Sequence, residues 1–501
     1  MVFFLLSAFV NYGHECTILF NIKNASSEEI VFSYYSMPDA KSVFEEPFWQ
    51  SLRLYDGSAK WTCDVSQPVF VKFYYISASK DHSLDYTFYL SAGDELIFSA
   101  DEKDFAKSVV VHGKGSENNQ PLIQRLHESS FLFEILELHR SDTLPFLAIK
   151  DIEIRKRLNQ DILDQYISDF SPSNDFIKKE KLYLDYFTQN VYNSFKGSHQ
   201  FNIYDPYLRN EDKWEGIMDS LISVKLINND EALGVFGYIH FLSEFVIRTK
   251  ERLWRDKELY EKYIFLNTSI AEKSEIEKKF QEDRENLLRE KIINVHFTGD
   301  CAEYLYAVLF RDSFTDKQDN ILEMYNRFKK LYPNSAYIPF IQPLAESIEK
   351  RRMNKLSDEM KFLESDKAIN TYKELVGLFQ GKTVLLDMWG TWCGPCRSEI
   401  ILNSDSIKTY FQGKPLDYLY IANYDTGREA KWKELVAYYN LTGTHILANK
   451  ELTQDVMSTT GAQGFPTYVI IKKDGSFELS EAGYPMNREI LFRQIDRILQ
   501  E

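Results

Sequence analysis

Two cysteines, Cys393 and Cys396, enclose Gly394-Pro395 within Gly381–Glu399 (GKTVLLDMWGTWCGPCRSE). Thiols three positions apart at the start of a helix can close into a disulfide with little backbone movement, so the pair reads as a dithiol redox centre. At the first position, Cys393 would feel the unpaired N–H groups and positive dipole end of the helix, which favour thiolate. Pro395 has no N–H to leave orphaned and suits a first turn. A thiol pKa falling from about 8.5 to about 7 raises the thiolate fraction at neutral pH roughly 15-fold. Lower intrinsic nucleophilicity takes back about 5-fold. The larger consequences are redox poise and the choice of attacking sulfur.

The competing use of such a pair is half of a zinc site. Structural zinc takes four ligands, usually from a second paired motif. The other cysteines, Cys16, Cys63 and Cys301, are single and scattered, so no metal site is expected. The elements that must position the dithiol are legible around it. An apolar run, Val384-Leu385-Leu386, carries Asp387 and Met388-Trp389 and breaks at Gly390; Arg397–Asn403 reads as opening helical turns.

Together with Gly464-Phe465-Pro466-Thr467, this segment resembles the thioredoxin-fold domain of TlpA/ResA-like thiol–disulfide oxidoreductases, strongly over Lys361–Glu501. The resemblance implies Cys393 as nucleophile and Cys396 as resolving thiol. It implies Asp387 as the buried carboxylate beneath the disulfide, and Glu399 as an acid beside the cysteines, both handling protons. It implies Pro466 as a cis-proline whose loop, with Phe465, pairs with substrate backbone near Trp392, Gly394 and Pro395. No cofactor is implied beyond the redox-active disulfide. One departure stands out: the strand Asp417–Asn423 (DYLYIAN) has no lysine where thioredoxins often pair one with the buried aspartate.

In 501 residues there is room for two to four domains, and 44% hydrophobic content supports packed cores. A formal charge of -16, with no clustered basic stretch, argues against a nucleic-acid surface. Five cysteines cannot form a disulfide framework. Met1–Val10 (MVFFLLSAFV) has the length of a signal-peptide core but lacks a positive leader, and Cys16 follows without a small-residue processing box. A degenerate export signal over 1–16 is the favoured reading; a first strand with a buried Cys16 is the bland one. Because TlpA/ResA-like proteins usually work outside the cytoplasm, the resemblance implies an extracytoplasmic location, in the periplasm or outer envelope.

Over 17–117 the period is two. Thr17–Ile22, Ile30–Tyr35, Val69–Tyr75, Tyr86–Leu90, Glu95–Ser99 and Val109–His112 are short apolar runs between turn-rich pieces, predicting an antiparallel β-sandwich. FYLSAGDELIFSAD…VVVHGKGSENN is similar to the β-rich domain that precedes thioredoxin modules in many TlpA-like proteins; Cys63 there is expected to be a core thiol. Over 118–357 helical spacing predicts an all-α domain, with helices at Leu122–Leu138, Ile152–Phe170, Phe176–Phe195, Trp214–Leu226, Glu231–Trp254, Ala271–Ile293, Cys301–Phe310 and Asp319–Leu331. Pro145, Pro172, Pro206, Pro333 and Pro343 are read as stops. Over 361–501 the expected order is strand, helix, strand, helix, hairpin, helix, an α/β thioredoxin fold.

The expected function is reduction of protein disulfides through the Cys393/Cys396 dithiol. Its partners would be a disulfide-containing client and a membrane thiol electron donor. Alternatives on the same fold are an oxidase, an isomerase or a thiol peroxidase, although the P-x-x-x-T-x-x-C context of the last is absent. A partner-binding module with a secondary redox domain is the reading from a different class.

Overall fold

A computed structural model describes residues 15–35, 43–44, 49–65, 67–127, 130–223, 225–265, 270–313, 319–363 and 369–501. The apolar run Met1–Val10 lies outside them. The chain divides into two compact units, Met1–Arg311 with Phe328–Phe340, and Asp312–Arg327 with Ile341–Glu501.

The first unit begins with eight strands: β1 (Glu15–Lys23), β2 (Glu29–Tyr35), β3 (Trp49–Arg53), β4 (Ser58–Asp64), β5 (Val69–Ile76), β6 (Ser83–Leu90), β7 (Glu95–Asp101) and β8 (Val110–Lys114). They form two four-stranded sheets, ordered β4-β1-β7-β8 and β3-β2-β5-β6. Strict alternation on β1 buries Cys16, Ile18, Phe20 and Ile22, as a half-buried strand requires. The two sheets share one core. In it Phe20 meets Phe73 edge-on at 5.2 Å between centroids, and Phe73 meets Phe98 at 5.0 Å. Such pairs contribute about 0.5–1.5 kcal/mol each beyond buried area.

The expected all-antiparallel pairing is corrected at one place: β1 runs parallel to β7. No hairpin ties strands so far apart in sequence. The parallel register sets Ile18, Phe20 and Ile22 level with Leu96, Phe98 and Ala100, all on the buried side.

Helices follow, the longest being Phe146–Phe170 and Asn174–Asn202. Ser173 caps the second through an N–H from Phe176 at 3.3 Å. Three expected helices are broken. Leu122–Leu138 is a 3-10 turn, Pro121–Leu126, and a helix, Ser130–Leu138. Glu231–Trp254 is a short turn at Asp230–Ala232 and a helix at Phe236–Arg255. Ala271–Ile293 parts at Asp283, which accepts from Asn286 N–H at 3.2 Å and so starts a new helix, Arg284–His296. Pro343, read as a stop, lies inside the helix Ile338–Arg352. Burial of Ile341, Ala345 and Ile348 along one side holds that helix together against the lost hydrogen bond. No helix among the described residues is long and apolar enough to cross a membrane.

The second unit holds six strands: β9 (Met360–Phe362), β10 (Thr383–Trp389), β11 (Leu416–Ala422), β12 (Gly443–Leu447), β13 (Thr467–Ile471) and β14 (Phe477–Leu479). Their order is β14-β13-β10-β11-β12-β9. β10, β11, β12 and β9 run parallel, β13 runs antiparallel to β10, and β14 antiparallel to β13. β10 is buried at every position, as a central strand covered on both faces must be. Val384, Leu386 and Met388 pack into one core with Leu452 and Val456. Leu385 points the other way, toward Ile407, Leu491 and Ile495. Asp387 shares that second face by alternation.

Candidate active site

β10 delivers the chain to the site. After Trp389 the backbone turns at Gly390, where an added Cβ would lie 2.6 Å from Trp392 Nε1 and 3.0 Å from the Asn423 carbonyl oxygen. Only glycine fits that crossing. Asn423, at the end of β11, binds the turn through its N–H to the Trp389 carbonyl at 2.8 Å. Its side-chain amide donates to the same oxygen at 3.1 Å, and Thr453 Oγ1 donates to Asn423 Oδ1 at 3.0 Å. Asp425 accepts from Thr391 N–H at 2.7 Å and from the Thr391 hydroxyl. These contacts fix the loop from which the cysteines project.

Cys393 is the N-cap of the helix Gly394–Tyr410, and its Sγ accepts from the Cys396 N–H at 3.2 Å. Gly394 and Pro395 form the first turn. The two sulfurs are joined at 1.99 Å, with Cα atoms 5.3 Å apart. Sulfur therefore occupies the place of a capping oxygen, and a thiolate there would gain the same N–H and the helix dipole. Cys393 is 3% exposed and Cys396 1%, packed in a cluster with Trp389, Ile400 and Trp432, against which Phe465 also lies.

The other sequence-predicted side chains divide into an exposed aromatic group and a buried acidic one. Trp392 is 45% exposed and is anchored by its Nε1–H to the Asn423 carbonyl at 2.9 Å. Its ring meets Phe465 edge-on at 5.8 Å and Tyr424 at 6.4 Å. Phe465 precedes Pro466 across a cis peptide bond. Phe465, distant in sequence, is thus brought against both Trp392 and the cluster that holds the cysteines.

Asp387 is 5% exposed and its Oδ1 has no hydrogen-bond partner. Burial, then the charge of Glu399, push its pKa up to about 8, while Lys408 opposes them. Glu399 is 3% exposed, with Oε1 accepting from the Met486 N–H at 3.2 Å and Oε2 from Asn403 Nδ2 at 2.7 Å. Both its oxygens are occupied, whereas Oδ1 of Asp387 is not, so it acts on Asp387 chiefly through its charge.

Sequence reasoning did not find Lys408, Asn423, Asp425 or the second cis peptide, Tyr484-Pro485, which immediately precedes Met486. Lys408 is the basic side chain whose charge opposes the upward shift of Asp387. It lines a small cavity with Asp387, Ile400, Ser404, Tyr420 and Tyr468. Burial lowers its pKa to about 8, against the charges of Asp405, Glu359 and Asp387. The signal was present in the helix: Ile400, Ser404 and Lys408 repeat every four residues and share one side. The remaining cysteines lie in the first unit, Cys16 buried on β1 and Cys63 half-buried on β4.

No family model matches the chain. A thioredoxin-like domain is matched among solved structures over about a quarter of it. One is the thioredoxin domain of a thiol-disulfide oxidoreductase from Bacteroides vulgatus: 22% identity, 25% of this chain and 83% of that one covered, TM-score 0.21. Another is a thiol:disulfide interchange protein of the thioredoxin family from Chlorobium tepidum: 18% identity, 25% and 83% covered, TM-score 0.20.

Proposed function

We propose that the chain is a thiol–disulfide oxidoreductase that reduces client-protein disulfides outside the cytoplasm through Cys393 and Cys396. The observation that carries this reading is a dithiol, closed as a disulfide, capping a helix in the same unit as a buried carboxyl with an unpartnered oxygen. In the reduced chain the Cys393 thiolate attacks one sulfur of the client disulfide. That S–S bond breaks, and the departing client sulfur leaves as thiolate and takes up a proton. Cys396, once deprotonated, attacks Cys393 Sγ and expels the second client sulfur. The client gains two electrons and two protons; the chain is left as the Cys393–Cys396 disulfide.

Asp387 handles the Cys396 proton in this scheme. Its pKa of about 8 lies close to that of an ordinary thiol, about 8.5, so proton transfer between them is nearly balanced. Glu399 maintains that match by its charge. Trp392, Phe465 and the Pro466 loop seat the client chain beside Gly394 and Pro395. A membrane thiol donor returns the disulfide to the dithiol.

Disulfide reduction of insulin by the full chain, with Cys393→Ser as control, tests the reading. Activity that vanishes in the variant is expected; equal activity in both overturns it. Gly-Pro between the cysteines favours a potential near that of reducing thioredoxins, about -270 mV, and a value near about -120 mV would make the chain an oxidant instead.

A further inference from the structure

Cys16 and Cys63 face each other directly across the antiparallel pair β1/β4, one rung from its end. The rung type follows from the hydrogen bonds. Ile22 N–H donates to the Gly57 carbonyl at 2.7 Å, and Thr17 N–H turns the other way, to Asp94 on the β7 side, at 2.9 Å. Even-numbered residues of β1 therefore bond toward β4, and Cys16/Cys63 is a hydrogen-bonded rung.

Cα atoms on such a rung stand about 5.5 Å apart, inside the disulfide range of about 4.4–6.8 Å. Both side chains lie on the inner face, Cys16 within the core and Cys63 packed against it. The Cys16 thiol also donates to the Ser91 carbonyl at 3.4 Å, and the Cys16 and Cys63 side chains interact across the rung. The two sulfurs are already neighbours, although both are thiols in this structure.

We infer that Cys16 and Cys63 form a second redox site, closing to a cross-strand disulfide when a low-molecular-weight disulfide reaches Cys63. Their burial assigns the roles. Cys63 is half-buried and within reach of a small reagent, whereas Cys16 is sealed in the core, with Cys63 as its partner thiol. The Cys63 sulfur attacks the reagent, RSSR, giving a Cys63–SR mixed disulfide and releasing RS⁻. Cys16 then attacks Cys63 Sγ and releases the second RS⁻. Two thiols are oxidised, one RSSR is reduced to two RSH, and the two thiol protons pass to the departing sulfurs.

Interaction with Cys63 lowers the pKa of Cys16, and interaction with Cys16, together with burial, raises that of Cys63. The first proton therefore leaves from Cys16, and Cys63 attacks as its own proton passes across the rung to the Cys16 sulfur, which releases it before the resolving step. The rung also limits the bond's strength. Cβ atoms on a hydrogen-bonded rung stand toward the wider end of about 4.5–5.5 Å, and a relaxed disulfide wants about 3.8 Å. Closure pulls the strands together, which their nearby end permits. A strained disulfide is the readily reduced kind, so the site works reversibly.

The test uses the full chain carrying Cys393→Ser and Cys396→Ser, equilibrated with excess glutathione disulfide, alkylated after denaturation and mapped without reduction. The expected result is a Cys16–Cys63 linked peptide two hydrogens lighter than its parts, with Cys301 still alkylated and both thiols restored by dithiothreitol. A glutathionyl adduct on Cys63 with Cys16 still free overturns the inference, as does finding both thiols untouched. Should the double variant fail to fold, the same two peptides are followed in the unaltered chain, since their masses differ from those of the Cys393–Cys396 segment. Cys63→Ser should leave Cys16 unmodified throughout; a Cys16 adduct in that variant would contradict the assigned roles.

Discussion

Lys408 and Asp387 line the same small cavity, the first from the helix that Cys393 caps and the second from the strand that precedes it. Neither titrates where an ordinary surface group of its kind would. Burial brings both close to about 8, Asp387 from below and Lys408 from above. Lys408 is further tied by a hydrogen bond to the Asn440 carbonyl at 3.2 Å.

The raised carboxyl makes stability depend on pH. Between about 4, where an unfolded aspartate ionises, and about 8, the folded chain holds a proton that the unfolded chain has released. The contribution is complete below about 4 and is lost as pH rises to about 8, at a slope of up to roughly 1.4 kcal/mol per pH unit. Asp387→Asn should flatten this dependence. Urea unfolding midpoints at pH 5 and pH 8 measure it; parallel behaviour of the two proteins would contradict the assignment.

The pH–rate profile should carry the same group. Turnover should bend near pH 8, and Asp387→Asn should abolish the bend and slow turnover by about 10²-fold, as loss of a proton-transfer group does. Lys408→Met removes the charge that favours the ionised carboxylate, so its bend should move above pH 8. A bend moved downward would mean that the lysine favours the protonated acid instead.

Gly390→Ala should break the turn rather than bend it. Its Cβ meets the Trp392 ring nitrogen and the Asn423 carbonyl, so the bond between those two is lost. Overpacking of this kind costs about 1–3 kcal/mol. Trp392 fluorescence should change with it, and calorimetry gives the loss.

Phe465 lies against the cluster that encloses the sulfurs. Phe465→Ala should therefore speed reduction of the Cys393–Cys396 disulfide by dithiothreitol several-fold while slowing reduction of a protein client. Stopped-flow with each reductant and substrate separates the two effects.

Cys396→Ser should strand the client on Cys393. Non-reducing electrophoresis and mass spectrometry would find a covalent adduct that thiols dissolve, absent from the doubly substituted Cys393→Ser/Cys396→Ser chain.

Legibility followed the range of the forces involved. β11 at Leu416–Ala422 lies within one residue of the strand expected at Asp417–Asn423, and the expected closing helix is Arg488–Leu499. Asn487 caps that helix locally, and an interior parallel strand is a continuous apolar run whatever its neighbours. The dithiol and Asp387 were legible for the same reason: a few adjacent residues specify the strand, the break and the helix start. β4 was not. SAKWTCD has no branched run, and only its register with β1 makes it a strand. β9 is three residues long and exists by pairing with β12. Lys408 is fifteen residues from Cys393, and its closeness to Asp387 depends on the packing of a whole helix over β10. Glu399 was legible as an acid near the cysteines; its ties to Met486 and Asn403 were not.

The placement of β1 bears on how the chain is made. It sits between β4 and β7, so one of its edges stays open until Glu95–Asp101 has left the ribosome. Through that interval a strand carrying Ile18, Phe20 and Ile22 offers an unsatisfied template to any passing extended segment. A holding factor acting on the nascent chain would find its target there, and cleavage after Lys23 would leave β4 without a partner in that sheet among the described residues.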